Sequence, residues 1–93
     1  MIKSFRCVET EGVFNRRFSR RLPQDIQKGA YKKLLMLNNA QTLHDLKVPP
    51  NNKLEALKDD RKGQHSIRIN DQWRICFVWK DNEAYDVEIV DFH

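Results

Sequence analysis

The stretch Trp73-Arg74-Ile75-Cys76-Phe77-Val78-Trp79 decides the fold. Trp73, Ile75, Phe77 and Trp79 alternate with Arg74, Cys76 and Val78, which is the period of a β-strand. Cys76 and Val78 make the second face apolar too, so the strand is predicted to be central and covered on both sides. Arg74 shares that second face. A cation at the mouth of a central strand is poorly explained by packing, although a cross-strand pair with Asp86 or Glu88 is a structural alternative.

Period two continues on both sides. Ile67 and Ile69 alternate with Ser66 and Arg68, and Tyr85, Val87 and Ile89 alternate with Asp86, Glu88 and Val90. Asn70-Asp71-Gln72 and Asp81-Asn82-Glu83 are of hairpin length, so three antiparallel strands are expected. An earlier strand is expected over residues 53–58, closed by a turn over residues 60–63. Leu54 and Leu57 lie three apart, which calls for a bulge or an early strand end.

Upstream of Pro49-Pro50-Asn51-Asn52 the pattern is helical. Residues 2–8 read as a short first strand. Thr10 is expected to cap a helix over residues 10–19, with Phe14 and Phe18 one turn apart on one face. Pro23 suits the first turn of a second helix ending near Ala40, in which Leu22, Ile26, Ala30, Leu34 and Leu37 form an apolar stripe. The fold class is therefore α+β: two N-terminal helices on one face of a twisted, mainly antiparallel sheet of four to five strands, one domain over residues 1–93.

Hydrophobic residues at 40% and charged residues at 32% describe a folding chain rather than a disordered one. No apolar run approaches the ~20 residues that span a bilayer, and no signal-like segment opens the chain, so a cytoplasmic protein without membrane contact is expected. Cys7 and Cys76 lie in apolar strands and read as buried thiols. His44 and His65 lack ligand spacing to another His or Cys, and no metal or cofactor is expected. A net charge of +4 suits an anionic partner.

The chain closes on Asp91-Phe92-His93: side chains that handle protons beside a ring that stacks on bases. Cleaving RNA without a metal needs a base for the 2′-hydroxyl, cations for the phosphorane and an acid for the leaving oxygen. Lys58, Arg74 and His93 are of the types that fill these roles. Lys58 also fits a solvated turn with Asp59, Asp60, Arg61 and Lys62, and His93 a frayed end. Arg16, Arg17, Arg20 and Arg21 are dense enough to contact phosphates of a large RNA, against the plainer reading of solvated helix faces. Arg68 joins them as a substrate-binding candidate.

Several segments together resemble the HigB toxins of the RelE superfamily. They are Lys53-Leu54-Glu55-Ala56-Leu57-Lys58-Asp59-Asp60-Arg61-Lys62-Gly63, Ser66-Ile67-Arg68-Ile69, Asn70-Asp71-Gln72-Trp73-Arg74-Ile75-Cys76-Phe77, Ala84-Tyr85-Asp86-Val87 and the closing Asp91-Phe92-His93. The opening Met1-Ile2-Lys3-Ser4-Phe5 is similar as well, so the resemblance covers essentially the whole chain. It implies a bacterial type II toxin–antitoxin system. The toxin would be a ribosome-dependent, metal-independent mRNA interferase that cuts translated messages in the A site, with the RNA 2′-oxygen as nucleophile. A HigA-like helix-turn-helix antitoxin would hold it inactive, and operator DNA would be reached only through that complex.

By position, the resemblance gives Lys58 and Arg74 the scissile phosphate, Asp91 and His93 proton transfer or positioning, and Phe92 a stacked mRNA base. Two departures stand out. Relatives commonly carry His where this chain has Glu55, which becomes a candidate base if its pKa is raised by burial, and they commonly end in Asp-Tyr-His. Phe92 keeps the stacking plane and loses the phenol donor. The competing reading is a non-catalytic RelE-fold subunit acting with its antitoxin in DNA-bound autorepression.

Overall fold

Trp73–Lys80 forms the third of four strands in the computed structural model, which describes residues 1–92. β1 is Glu55–Ala56, β2 His65–Arg68, β3 Trp73–Lys80 and β4 Glu83–Asp91, arranged β1-β2-β3-β4 with every neighbouring pair antiparallel. β3 is an inner strand, buried on both faces at Ile75, Cys76 and Phe77. On one face Ile67, Ile75, Phe77, Val87 and Ile89 share a core with Ile26, Ala30, Leu34 and Leu37 of α2, Gln24–Asn39. The three- and four-residue spacing of that stripe is what makes the segment helical. Pro23 sits at its N-cap and Ala40 at its C-cap.

The β3–β4 hairpin turns on Asp81 and Asn82, with φ of 53° and 62°. Two consecutive left-handed residues match the twist of the flanking strands, and Asp and Asn tolerate that region well.

α1, Val8–Phe14, is shorter than the helix expected over residues 10–19 and starts before Thr10. Thr10 is not its cap. The residue is fully buried inside the helix, where its hydroxyl accepts the Ile89 N–H at 3.0 Å and lies 3.0 Å from Cys7 Sγ. The helix stops because Arg16 takes a left-handed φ of 63°, with Arg16 N–H donating to Val13 O and Arg17 N–H to Gly12 O. These are the paired bonds of a Schellman end. Phe14 therefore faces the core against Phe5, ring centroids 5.6 Å apart, while Phe18 lies beyond the helix and is exposed.

Two further expectations shift by a residue or more. Residues 2–8 make only isolated parallel bridges, Ile2 to Ala84 and Phe5 to Val87, rather than a strand. Of the two alternatives for residues 53–58 the early end holds, since β1 stops at Ala56, and a bulge lies instead in β4: Cys76 faces Glu88 and Val78 faces Tyr85, so three steps on β4 match two on β3. Asp86, at φ 53°, lies between them. Ala84 consequently takes the buried position and Tyr85 turns away from it. The expected strand over residues 53–58 contracts to β1, because Pro50–Asn52 is a 3₁₀ turn and Lys53 is left-handed at φ 43°. Among the described residues, no helix is long and apolar enough to cross a membrane.

Candidate active site on the outer sheet face

Strand register places the candidates more finely than the sequence could. Glu55, Ser66, Cys76 and Glu88 line up across the four strands, and Arg68, Arg74 and Val90 form the next row. Both rows lie on the face away from the α2-packed Ile67, Ile75 and Ile89, since side chains alternate along a strand.

Arg74 is the fixed point of this face. Its Nε donates to Ser66 Oγ at 2.7 Å, and Nη2 donates to Lys53 O at 2.6 Å and to Ser66 O at 3.4 Å. Nη2 also lies 3.7 Å from Glu55 Oε1. The Arg74 side chain is 13% exposed and that of Glu55 55%, so the guanidinium is anchored while its carboxylate partner stays wet. The alternative pair with Asp86 or Glu88 does not form. Glu88 is taken by Arg61 at 3.2 Å, and the bulge turns Asp86 to solvent. Nη1 of Arg74 makes no hydrogen bond among the described residues.

Arg68 stands directly opposite Arg74. Like charges in facing positions repel, so each needs its own anion. Arg68 holds Asp71 at 2.5 Å, and this contact keeps the Asp71 carboxyl below the usual carboxylate range. Two guanidinium groups on facing positions make this row a place where an added phosphate gains charge-assisted hydrogen bonds. Cys76 carries no chemistry there: burial pushes its thiol up to about 11, away from the reactive thiolate.

The other candidates lie at the borders. Lys58 is exposed at the start of the 3₁₀ turn Asp59–Arg61, where its carbonyl accepts the Arg61 N–H at 3.1 Å and its side chain makes no hydrogen bond or ion pair among the described residues. Asp91 ends β4 opposite Trp73, one residue off the Arg74 row, and accepts a bond from Gln72 Nε2 at 3.1 Å. Phe92 is half-buried, with its N–H donating to Gln72 O at 2.6 Å. His93 lies outside the described residues. Arg16, Arg17, Arg20 and Arg21 are exposed in the α1–α2 connection, not on the strands that carry Arg74.

Over residues 4–93 the chain matches the family of RelE-like toxins of the type II toxin–antitoxin system HigB. It belongs to that family. Toxin HigB-1 of Vibrio cholerae is 42% identical over 65 residues, covering 70% of this chain and 68% of its own length. Endoribonuclease HigB of Proteus vulgaris is 31% identical over 94 residues, with both chains covered completely. Among solved structures, the YoeB–YefM toxin–antitoxin complex of Staphylococcus aureus superimposes with a TM-score of 0.60 at 18% identity, over 100% of this chain and 98% of the other. YafQ of E. coli BL21(DE3) gives 0.58 at 15% identity, over 98% and 93%. At such identities the likeness is one of fold.

In this HigB-like chain two supports of the site escape a reading of the sequence. Ser66 looks like an ordinary outward polar residue of an alternating strand, yet it is fully buried under Arg74. Asn52 reads as turn punctuation, yet its side chain is also fully buried. Asn52 Oδ1 accepts from Lys33 Nζ at 2.5 Å, and Nδ2 donates to Leu46 O at 3.0 Å and Val48 O at 3.3 Å. Burial, with the Arg68 charge added, pulls the Lys33 ammonium below its ordinary range. Asn52 lies beside Lys53, whose carbonyl holds Arg74, a relation that only the folded chain creates.

Proposed function

We propose that this HigB-like toxin is an endoribonuclease that cuts translated mRNA on the ribosome, with the RNA 2′-oxygen as nucleophile and no metal ion. The observation that carries this reading is Arg74, held by Ser66 and Lys53 with Nη1 left unbonded among the described residues and Arg68 on the facing position. Such a pair suits a phosphate whose charge grows in the transition state. Support comes also from the Proteus vulgaris relative, which carries the name Endoribonuclease HigB.

In this reading Lys58 and Arg74 neutralise the scissile phosphate, and Arg68 holds a neighbouring one. The 2′-oxygen attacks phosphorus, a 2′,3′-cyclic phosphate forms and the 5′-oxygen leaves with a proton. Phe92 lacks a hydroxyl, so proton transfer falls to His93, with Asp91 positioning the strand end beside it. Glu55 is exposed, so the burial on which a base role depended is absent; its part is the ion pair with Arg74, which must loosen as phosphate enters. Arg16, Arg17, Arg20 and Arg21 add affinity through RNA phosphates. The partner that silences the toxin is a HigA-like helix-turn-helix antitoxin, through which operator DNA is bound. The YoeB–YefM structures, solved with an antitoxin present, support a protein partner of this kind.

Primer extension on a translated message tests the proposal. Wild-type protein should produce discrete stops, and His93→Ala or Arg74→Ala should abolish them while the circular dichroism spectrum stays native. Absence of cleavage by soluble wild-type protein, with antitoxin binding intact, would overturn it in favour of a non-catalytic subunit.

A further inference from the structure

The connection between α1 and α2 contains a side chain that neither the core nor the Arg74 face accounts for. Phe18 is 62% exposed, and it is not on a floppy segment. The Schellman bonds of Arg16 and Arg17 fix one end of the loop. Gln27 of α2 fixes the other: Ser19 N–H donates to Gln27 Oε1 at 3.1 Å, and Gln27 Nε2 donates to Ser19 O at 2.7 Å and Leu22 O at 3.0 Å. An exposed ring on a clamped loop is presented rather than left over.

Its surroundings are cationic. Two open clefts, of about 320 and 280 Å³, both have Arg17 and Phe18 in their walls; Arg20 lines the first and Lys28 the second. Arg16 lies over the Tyr31 ring at 5.0 Å, and Arg21 pairs with Glu9 at 3.7 Å. Arg17 and Arg20 have no carboxylate partner among the described residues. A planar apolar ring with unneutralised guanidinium groups beside it is the arrangement that holds single-stranded nucleic acid: the base stacks and the flanking phosphates meet the cations. An acidic helix would need a row of exposed apolar anchors at helical spacing; of the other apolar residues lining these clefts, Val13 is buried and the Tyr31 ring lies under Arg16, which leaves Val8 beside Phe18.

We infer that residues 16–21 form a second RNA-binding surface, in which an unpaired base stacks on Phe18 and Arg17 and Arg20 hold the adjoining phosphates. The choice of RNA rests on the endonuclease reading above. The surface serves docking of single-stranded RNA, apart from the sheet face that carries Arg74.

The test uses the full chain, labelled with ¹⁵N, and a ten-nucleotide 2′-O-methyl RNA that cannot be cleaved by its own 2′-oxygen. Titration should move the amides of residues 16–21 as well as those around Arg74. Phe18→Ser should erase the first set, leave the second, and weaken binding at the loop by roughly tenfold or more, with Phe18→Trp restoring it. Arg17→Ala should lower the slope of log K against log salt by about 0.7. Loop amides that stay still with RNA, Phe18→Leu binding as tightly as wild type, or loop shifts produced only by an acidic protein partner would each overturn the inference. Loop shifts from a protein that cuts no message would sink the endonuclease reading and leave this surface standing.

Discussion

Arg74 and Lys53 are joined by a 2.6 Å hydrogen bond from guanidinium to backbone carbonyl, across 21 residues of sequence. The catalytic candidate is thus held partly by main chain, which no side-chain substitution at residue 53 removes. Arg74→Lys keeps the charge but cannot reproduce the three bonds made from Nε and Nη2. Cleavage of a translated message should fall roughly 10²–10³-fold, the usual cost of losing a preorganised donor. Ser66→Ala removes one anchor and should cost about tenfold. Wild-type rates in both variants, measured by primer extension, would count against a role for this guanidinium.

Asn52 precedes the residue that supplies that carbonyl, and its side chain ties the turn to Leu46 and Val48. Asn52→Ala leaves the carbonyls of Leu46 and Val48 and the Lys33 ammonium short of a partner, at about 1–3 kcal/mol of stability. The distinguishing effect is kinetic. Because the loss acts through Arg74, the double variant Asn52→Ala/Arg74→Ala should cleave no more slowly than Arg74→Ala alone, whereas independent effects would add.

Thr10 ties helix to sheet. Its hydroxyl is the acceptor for the buried Ile89 N–H, so Thr10→Val preserves shape and orphans a donor. The expected loss is about 1–3 kcal/mol. On a domain of this size that is a fall of several degrees in Tm, roughly 4–8 °C for each kcal/mol. A calorimetric Tm equal to wild type would show that water replaces the hydroxyl.

Cys76 gives the pH dependence its sign. Its thiol is raised from 9.0 to about 11 by burial, so the folded state favours the protonated form. The corresponding stability is fully present below pH ~9 and is lost as pH rises through ~11, because the unfolded chain releases the proton first. Urea midpoints should decline over that interval in wild type and less so in Cys76→Ala. Near neutral pH, native Cys76 should react with iodoacetamide far more slowly than after unfolding.

The strands were legible because period two persists from Ile67 to Ile89, and Arg74 was legible because it interrupts an apolar face. What stayed hidden has local physical reasons. Tyr85 and Ala84 are equally acceptable as core residues, so the bulge that exchanges them leaves no mark in the pattern. Thr10 is a good cap by type, but Ile89 offers it a buried donor that only tertiary packing creates. Asp91 sits next to Phe92 in sequence, yet one residue of register separates it from the Arg74 row. Asn52 follows two prolines and resembles turn filler until Lys33 and the Leu46 carbonyl close around it.

The end of α1 joins two properties in a single residue. Position 16 adopts a backbone geometry that glycine fills with least strain, and the chain places arginine there. A glycine would ease the turn and remove the cation stacked on Tyr31. Efforts to make this protein hardier at that turn will therefore trade away surface charge, and a screen selecting only for heat resistance is expected to return variants that fold better and adhere to RNA less.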